Sequence, residues 1–350
     1  MNRLYTFDDI LVVPQYSDID SREGVNVSTE LAHYKLDIPI IAANMDTVCE
    51  FEMALAMLTL GGLGVVHRYM SREKQLEIVE NISAFAMQKE EATNEEVPVA
   101  AAVGIKDGVD EHVSALVGAG TNIIVIDVAH GHHKQVGETI KKIKSLSLKS
   151  HKGTPIEVVA GNIASPEGAM YLFDAGADTV KVGVGSGSIC STRIVTGHGI
   201  PQASALLTID KILHKFEGKM IADGGIRTSG DIIKAMALGS SAVMLGSLLA
   251  GTDEAPGDIL TNQFNKKIKI YRGMASRDAQ LEFFGNDPLA PEGVSVTIDY
   301  KGSVLDIIPQ LISGIKSGLS YSGARSFEEF RNKAQLVVIS ESSLLESRTL

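Results

Sequence analysis

A chain of 350 residues with 44% apolar side chains can bury a substantial core, which excludes wholesale disorder and suits one large α/β domain. A formal charge of −11 argues against nonspecific nucleic-acid coating, which needs Lys and Arg gathered on one face. Two cysteines make no disulfide framework and point to a reducing compartment.

The opening stretch MNRLYTFDDILVVPQY carries no apolar signal core, and no uncharged apolar run of about 18 residues follows. A cytoplasmic protein without membrane contact is therefore expected. Eight short apolar runs recur along the chain, each ending in small or polar residues. They are IPIIAANMD (39–46 within it), GLGVVHR (62–68), VAAAVG (99–104), NIIVIDVAHG (122–131), EVVAGNIAS (157–165), TVKVGVGSGS (179–188), KMIADGG (219–225) and SAVMLGSLLAG (241–251). Continuous runs of this length fit parallel strands buried on both faces. Helical periodicity fills the gaps at Glu50–Leu60, Ser71–Phe85, Val109–Ala119, Gly137–Leu148 and Ser229–Leu238. Ser165, Pro166 and Glu167 spell a helix start, with a cap, a first-turn proline and a first-turn acid. Eight strands, most followed by a helix, predict a (β/α)8 TIM barrel over residues 1–350, with an open doubly wound sheet as the alternative.

Three segments break the alternation. Gln88–Val97 (QKEEATNEEV) is acidic and reads as a solvated loop. Residues 252–302 form a long insertion after the eighth strand, rich in Gly, Pro and charge, the composition of an active-site lid or a disordered link. The pattern turns helical again over 303–325, and 336–350 is a tail of mixed character.

Barrel chemistry sits where strands end at the C-terminal face. The richest such end is Gly183-Val-Gly185-Ser-Gly187-Ser188-Ile-Cys190-Ser-Thr192-Arg193, whose glycines let backbone amides and carbonyls turn towards a ligand or cation. Cys190 lies in this polar loop beside Arg193, a setting for a nucleophile, whereas Cys49 reads as a small buried hydrophobe. The ends Asp223-Gly224-Gly225 and Leu245-Gly246-Ser247 offer successive glycine amides for an anion; the alternative is tight turns and nothing more. Asp223 would repel phosphate, so it suits a hydroxyl donor such as a ribose. His130, His132 and His133 suggest a metal site, but the other strand ends supply no second His-x-His to complete one. Asp127 is the better polar contact.

The assembled motifs resemble the family of IMP dehydrogenases and GMP reductases, from Phe7-Asp8-Asp9 to near residue 340. They are IIAANMDTV (40–48), GVVHRYMS (64–71), IDVAHGH (126–132), AGN (160–162), KVGVGSGSICSTR (181–193), IADGGIRTSGD (221–231), VMLGSLLAG (243–251) and YRGMAS (271–276). The resemblance implies a homotetramer acting on GMP or IMP with a nicotinamide cofactor. It implies that Cys190 forms a covalent thioimidate with purine C2. It places the phosphate on Ser188, Gly225, Gly246, Ser247 and Tyr271, with Gly224 beside them, and the ribose on Asp223. Gly273, Met274 and Ala275 fall on the substrate side, and Arg68, Asp127, Val128, Ala129 and Asn162 on the cofactor side. A monovalent cation, K+ in the family, is implied at Gly185, Gly187, Cys190 and Arg193.

Which reaction follows is read from three features. Only 17 residues, Ala275–Pro291, separate Met274 from Glu292, with no Arg-Tyr pair of the kind dehydrogenases carry on a water-activating flap. Tyr69–Pro98 holds 30 residues, too few for the regulatory domain of most dehydrogenases. Thr192 and Glu292 match the reductase pair that handles the proton of departing ammonia. These favour an NADPH-dependent GMP reductase. The alternative is an NAD-dependent IMP dehydrogenase without a regulatory domain, to which Arg272 and ADGGIRTSGD are more similar. Leu289 stands where many reductases place Arg.

Overall fold

Eight short parallel strands close on themselves in the computed structural model, which describes residues 3–285 and 287–346. In chain order they are Ile40–Ala42, Leu63–Val66, Ala100–Val103, Ile123–Asp127, Glu157–Ile163, Thr179–Val182, Lys219–Asp223 and Ala242–Leu245. The eighth pairs with the first, Val243 opposite Ile40 and Leu245 opposite Ala42, so the sheet is a closed (β/α)8 barrel and has no edge. The open-sheet alternative falls with that pairing. All eight apolar runs are strands because each is buried on both faces, by the barrel interior and by the helices outside. Helix starts follow their caps: Ser165 Oγ accepts from the Gly168 amide at 3.2 Å ahead of Pro166. Thr228 and Asp231 close a reciprocal capping box at the helix Ser229–Ala237.

Three expectations need correction. The helix that begins at Arg72 runs to Thr93, so most of the acidic stretch Gln88–Val97 is helical rather than loop. Its Glu90 is buried, accepting from the Val97 amide at 2.8 Å and pairing with His151 at 2.8 Å. A carboxylate with that many partners tolerates burial, which composition alone does not reveal. The helix expected over Gly137–Leu148 starts earlier, at Lys134, with His133 Nδ1 accepting from the Gln135 amide as its cap. The insertion 252–302 is neither a disordered link nor a bare loop. It builds a three-stranded antiparallel sheet (Leu260–Thr261, Lys267–Arg272, Ser295–Asp299) and a helix, Arg277–Phe284. Buried Lys269 ties the sheet to the first residues of the insertion by donating to the Thr252 and Ala255 carbonyls at 3.0 and 2.5 Å.

The helix Val304–Tyr321 follows as expected, and the tail strand Leu336–Val338 pairs antiparallel with Ile10–Val12. Residues 347–350 of that tail lie outside the described residues. Among the described residues no helix is long and apolar enough to cross a membrane.

Candidate functional site

The C-terminal strand ends surround a cavity of about 660 Å3, and the expected substrate, cofactor, cation-loop and catalytic residues line it, His130, His132 and His133 excepted. That volume is in the range of small-molecule sites. Cys190 stands half-buried on its wall, while Cys49 is fully buried and burial pushes its thiol well up, the Glu50 charge adding to the effect.

The Cys190 loop is held by its glycines. Gly183 has φ +152°, and a Cβ there would lie 1.8 Å from the Asp223 carbonyl oxygen, so only glycine lets the two strand ends touch. Ser186 Oγ donates to the same oxygen at 3.1 Å, and the Cys190 amide donates to Gly187 O at 3.2 Å. We expect Gly183→Ala to force the two backbones apart at a cost of about 1–3 kcal/mol. A thermal melt indistinguishable from the native one, with unchanged nucleotide affinity, would contradict this.

Around the sulfur the structure builds a relay. Cys190 Sγ lies 3.2 Å from Thr192 Oγ1, which donates to Glu292 Oε2 at 2.9 Å. The insertion brings Glu292 there: its amide donates to Ala275 O at 3.1 Å, and its carbonyl accepts from the Ser191 amide at 3.0 Å. Gly273, Met274 and Ala275 form the adjoining wall, and Gln280, on the insertion's helix, donates to Met274 O at 3.0 Å and to the Tyr69 hydroxyl at 3.2 Å.

Across the cavity, Gly224 and Gly225 have φ of +93° and +80°, turning their amides out of strand geometry. Gly246 sits against Tyr271, where a Cβ would meet the phenol oxygen at 2.7 Å. Tyr271 is buried, which pushes its hydroxyl up to about 12; the Ser188 hydroxyl opposes this and the Asp223 charge adds to it. It therefore stays a neutral donor beside Ser188, Gly246 and Ser247. Amides and hydroxyls with a free donor face make an anion cradle.

On the third side, Asn162 Nδ2 donates to Asp223 Oδ2 at 2.9 Å and to Gly183 O at 2.7 Å. Arg68 stacks on Tyr69, 4.9 Å from the ring centre, with Nε 3.6 Å from Asp127 Oδ2. That Nε is buried without a hydrogen-bond partner, so a donor and an acceptor stand side by side next to Val128 and Ala129. Such a pair fits a planar carboxamide such as that of nicotinamide.

Two groups do not behave as the sequence suggested. Arg193 lies against Gly185 and Gly199 and donates to Ile200 O at 2.8 Å; a guanidinium has no lone pair, so its side chain is no metal ligand. Arg272 is fixed on its strand by Asp46 at 2.8 Å and by Glu282 at 2.6 Å. Burial opposes its charge, but those two carboxylates more than offset this and keep it protonated. His130, His132 and His133 stay outside the cavity, His132 packing on Tyr171, and no group of three or more metal-type side chains forms among the described residues. Sequence reasoning assigned no role to Lys181, Tyr69 or Gln280; a lone Lys inside the apolar strand TVKV was the one available signal.

Fold and cavity together define a barrel whose mouth sets a cysteine–hydroxyl–carboxylate chain opposite a cluster of glycine amides and hydroxyls. The family model described as "IMP dehydrogenase / GMP reductase domain" matches residues 4–349, and the chain belongs to that family of oxidoreductases, whose cofactors are of the nicotinamide type. The inosine-5'-monophosphate dehydrogenase of Cryptosporidium parvum is 37% identical, over 98% of this chain and 94% of that protein. The GMP reductase of Leishmania donovani is 32% identical, over 98% and 96%. Among solved structures, a variant GMP reductase from Trypanosoma brucei in complex with guanosine 5'-monophosphate superposes with a TM-score of 0.91 at 32% identity, covering 100% of this chain and 98% of that one.

These relatives correct one inference. The Leishmania donovani reductase aligns over 475 positions and the Aquifex aeolicus dehydrogenase over 469, against 386 for the Cryptosporidium parvum dehydrogenase and 350 residues here. Extra length occurs in a reductase as well as in a dehydrogenase, so a short chain does not by itself separate the two activities.

Proposed function

We propose that this protein is a GMP reductase, converting GMP to IMP and ammonia at the expense of NADPH. The observation that carries this reading is the Cys190–Thr192–Glu292 relay, whose carboxylate is delivered by a 17-residue segment without an Arg-Tyr pair. Arg272, the remaining arginine of dehydrogenase type, is fixed by two carboxylates and has no freedom to activate water.

The cradle of Ser188, Gly224, Gly225, Gly246, Ser247 and the Tyr271 hydroxyl takes the 5'-phosphate, and Asp223 accepts from the ribose hydroxyls. This clamps the purine so that C2 meets sulfur, and orientation supplies much of the rate. Cys190 Sγ adds to C2 while its proton passes through Thr192 Oγ1 to Glu292. The same path returns a proton to the C2 amino group, the C–N bond breaks, and ammonia departs to leave a thioimidate. Arg68, Asp127, Val128, Ala129 and Asn162 would hold a reduced nicotinamide, which when bound would supply the hydride that C2 takes up. The C–S bond then breaks, freeing Cys190 and IMP, so C2 is reduced as the nicotinamide is oxidised. Carbonyls of Gly185, Gly187 and Cys190 are the hard oxygen donors a monovalent cation such as K+ takes, and it would brace the loop.

A second reading, IMP oxidation to XMP with NAD, rests on the same relay, since a carboxylate acting through a hydroxyl also accepts a proton from attacking water. One absorbance assay separates them. GMP-dependent loss of NADPH is expected; IMP-dependent appearance of NADH without it assigns the dehydrogenase instead, and nucleotide binding with neither signal leaves a sensor.

A further inference from the structure

Lys181, 3% exposed, sits in the sixth barrel strand with its ammonium beneath the cavity floor. It reaches side chains from three other strands: Asn162 Oδ1, Asp223 Oδ2 at 2.6 Å and Asp127 Oδ1 at 3.8 Å. An ammonium donates and accepts nothing; it gives hydrogen bonds to Asn162 and Asp223 and faces Asp127 as a longer ion pair. The Asn162 amide is oriented by it: the oxygen faces the ammonium, which aims the nitrogen at Asp223 and at the Gly183 carbonyl of the cysteine loop.

A buried ion pair is poor evidence for stability, because well-packed apolar residues often replace one at little loss. Its placement is more informative here. Asp223 stands on the nucleotide side and Asp127 on the cofactor side. Among the described residues the other cation paired with Asp127 is the partly exposed Arg68 at 3.6 Å, and the neutral Tyr271 hydroxyl feels the Asp223 charge. We infer that Lys181 is a positioning residue whose single buried ammonium, set between Asp223 and Asp127 and against Asn162, fixes both halves of the cavity in register. This rests on the nucleotide and cofactor assignment proposed above. Burial alone would discharge Lys181, but the Asp223 and Asp127 carboxylates more than offset that and keep it protonated.

The test is calorimetric binding of GMP and IMP to the native chain, Lys181→Met, Lys181→Arg and the double variant Lys181→Met/Asp127→Asn. Without the ammonium, Asn162 and Asp223 lose the group that orients them, and Asp127 and Asp223 stand with no ammonium between them. Relative to native, Lys181→Met should bind about tenfold or more weakly. Lys181→Arg, which keeps the charge, should retain most of the native affinity. The double variant should regain most of the affinity lost, since it removes the second carboxylate. Native-like binding by Lys181→Met, a Lys181→Arg variant as weak as Lys181→Met, or a double variant no better than the single one, overturns the proposal. Should Lys181→Met not fold, the double variant decides: folding and binding support the inference, and a second failure to fold reduces Lys181 to a structural role. Binding is read without turnover, so a wrong choice of reaction leaves the test intact. Failure of the native chain to bind either nucleotide would instead sink the functional reading.

Discussion

Cys190→Ala should lose at least about 10⁴-fold in turnover, about 5.5 kcal/mol of barrier, while GMP affinity stays close to native. In the proposed mechanism the sulfur is the one group whose removal deletes a bond-forming step, whereas the proposed phosphate and ribose contacts, Ser188 apart, lie on other elements. The cavity wall is open at that point, since Cys190 is only half-buried and faces the Thr192 hydroxyl at 3.2 Å. Single-turnover kinetics with calorimetric binding would test both halves. Activity within tenfold of native would remove the covalent step from the mechanism, and a parallel loss of GMP binding would make the cysteine a packing residue.

Glu292→Gln carries the second large effect. Glutamine still accepts from Thr192, so the geometry of the relay survives, but an amide does not shuttle a proton. Loss of general acid-base help of this kind costs about 10²–10⁴-fold. The loss should fall on ammonia release, leaving the nicotinamide step comparatively intact. An isotope effect from deuterated NADPH should therefore shrink in the variant as deamination comes to limit turnover. Equal slowing of both half-reactions, or an isotope effect that grows, would separate Glu292 from the leaving amine and reopen the choice between reduction of GMP and oxidation of IMP.

These two predictions concern residues of different legibility. Cys190 announces itself locally, in a loop whose glycines have no reason to cluster in a strand–helix turn of ordinary length. The Thr192–Glu292 contact joins residues a hundred positions apart, and only the antiparallel pairing of Lys267–Arg272 with Ser295–Asp299 turns the insertion back over the barrel mouth. Its Gly, Pro and charge content suggested a lid or a link because composition reports solvent exposure, not strand pairing. The acidic run Gln88–Val97 misled for the same reason: Glu90 finds its partners in His151 and Lys152, from a distant loop.

The strands and their glycine-rich ends were decided by the chain itself. Apolar runs ended by glycine must be buried on both faces, and in a barrel their ends converge whatever else the molecule does. Charge pairing belonged to tertiary structure alone. Lys181 in TVKV looks like an intruder in an apolar strand, and Asp127, Asn162 and Asp223 lie on three separate strands. Closure of the barrel puts all three within reach of its one ammonium. The physical reason is that hydrophobic periodicity is a local property of the chain, whereas the energy of a buried charge depends on its neighbours in space.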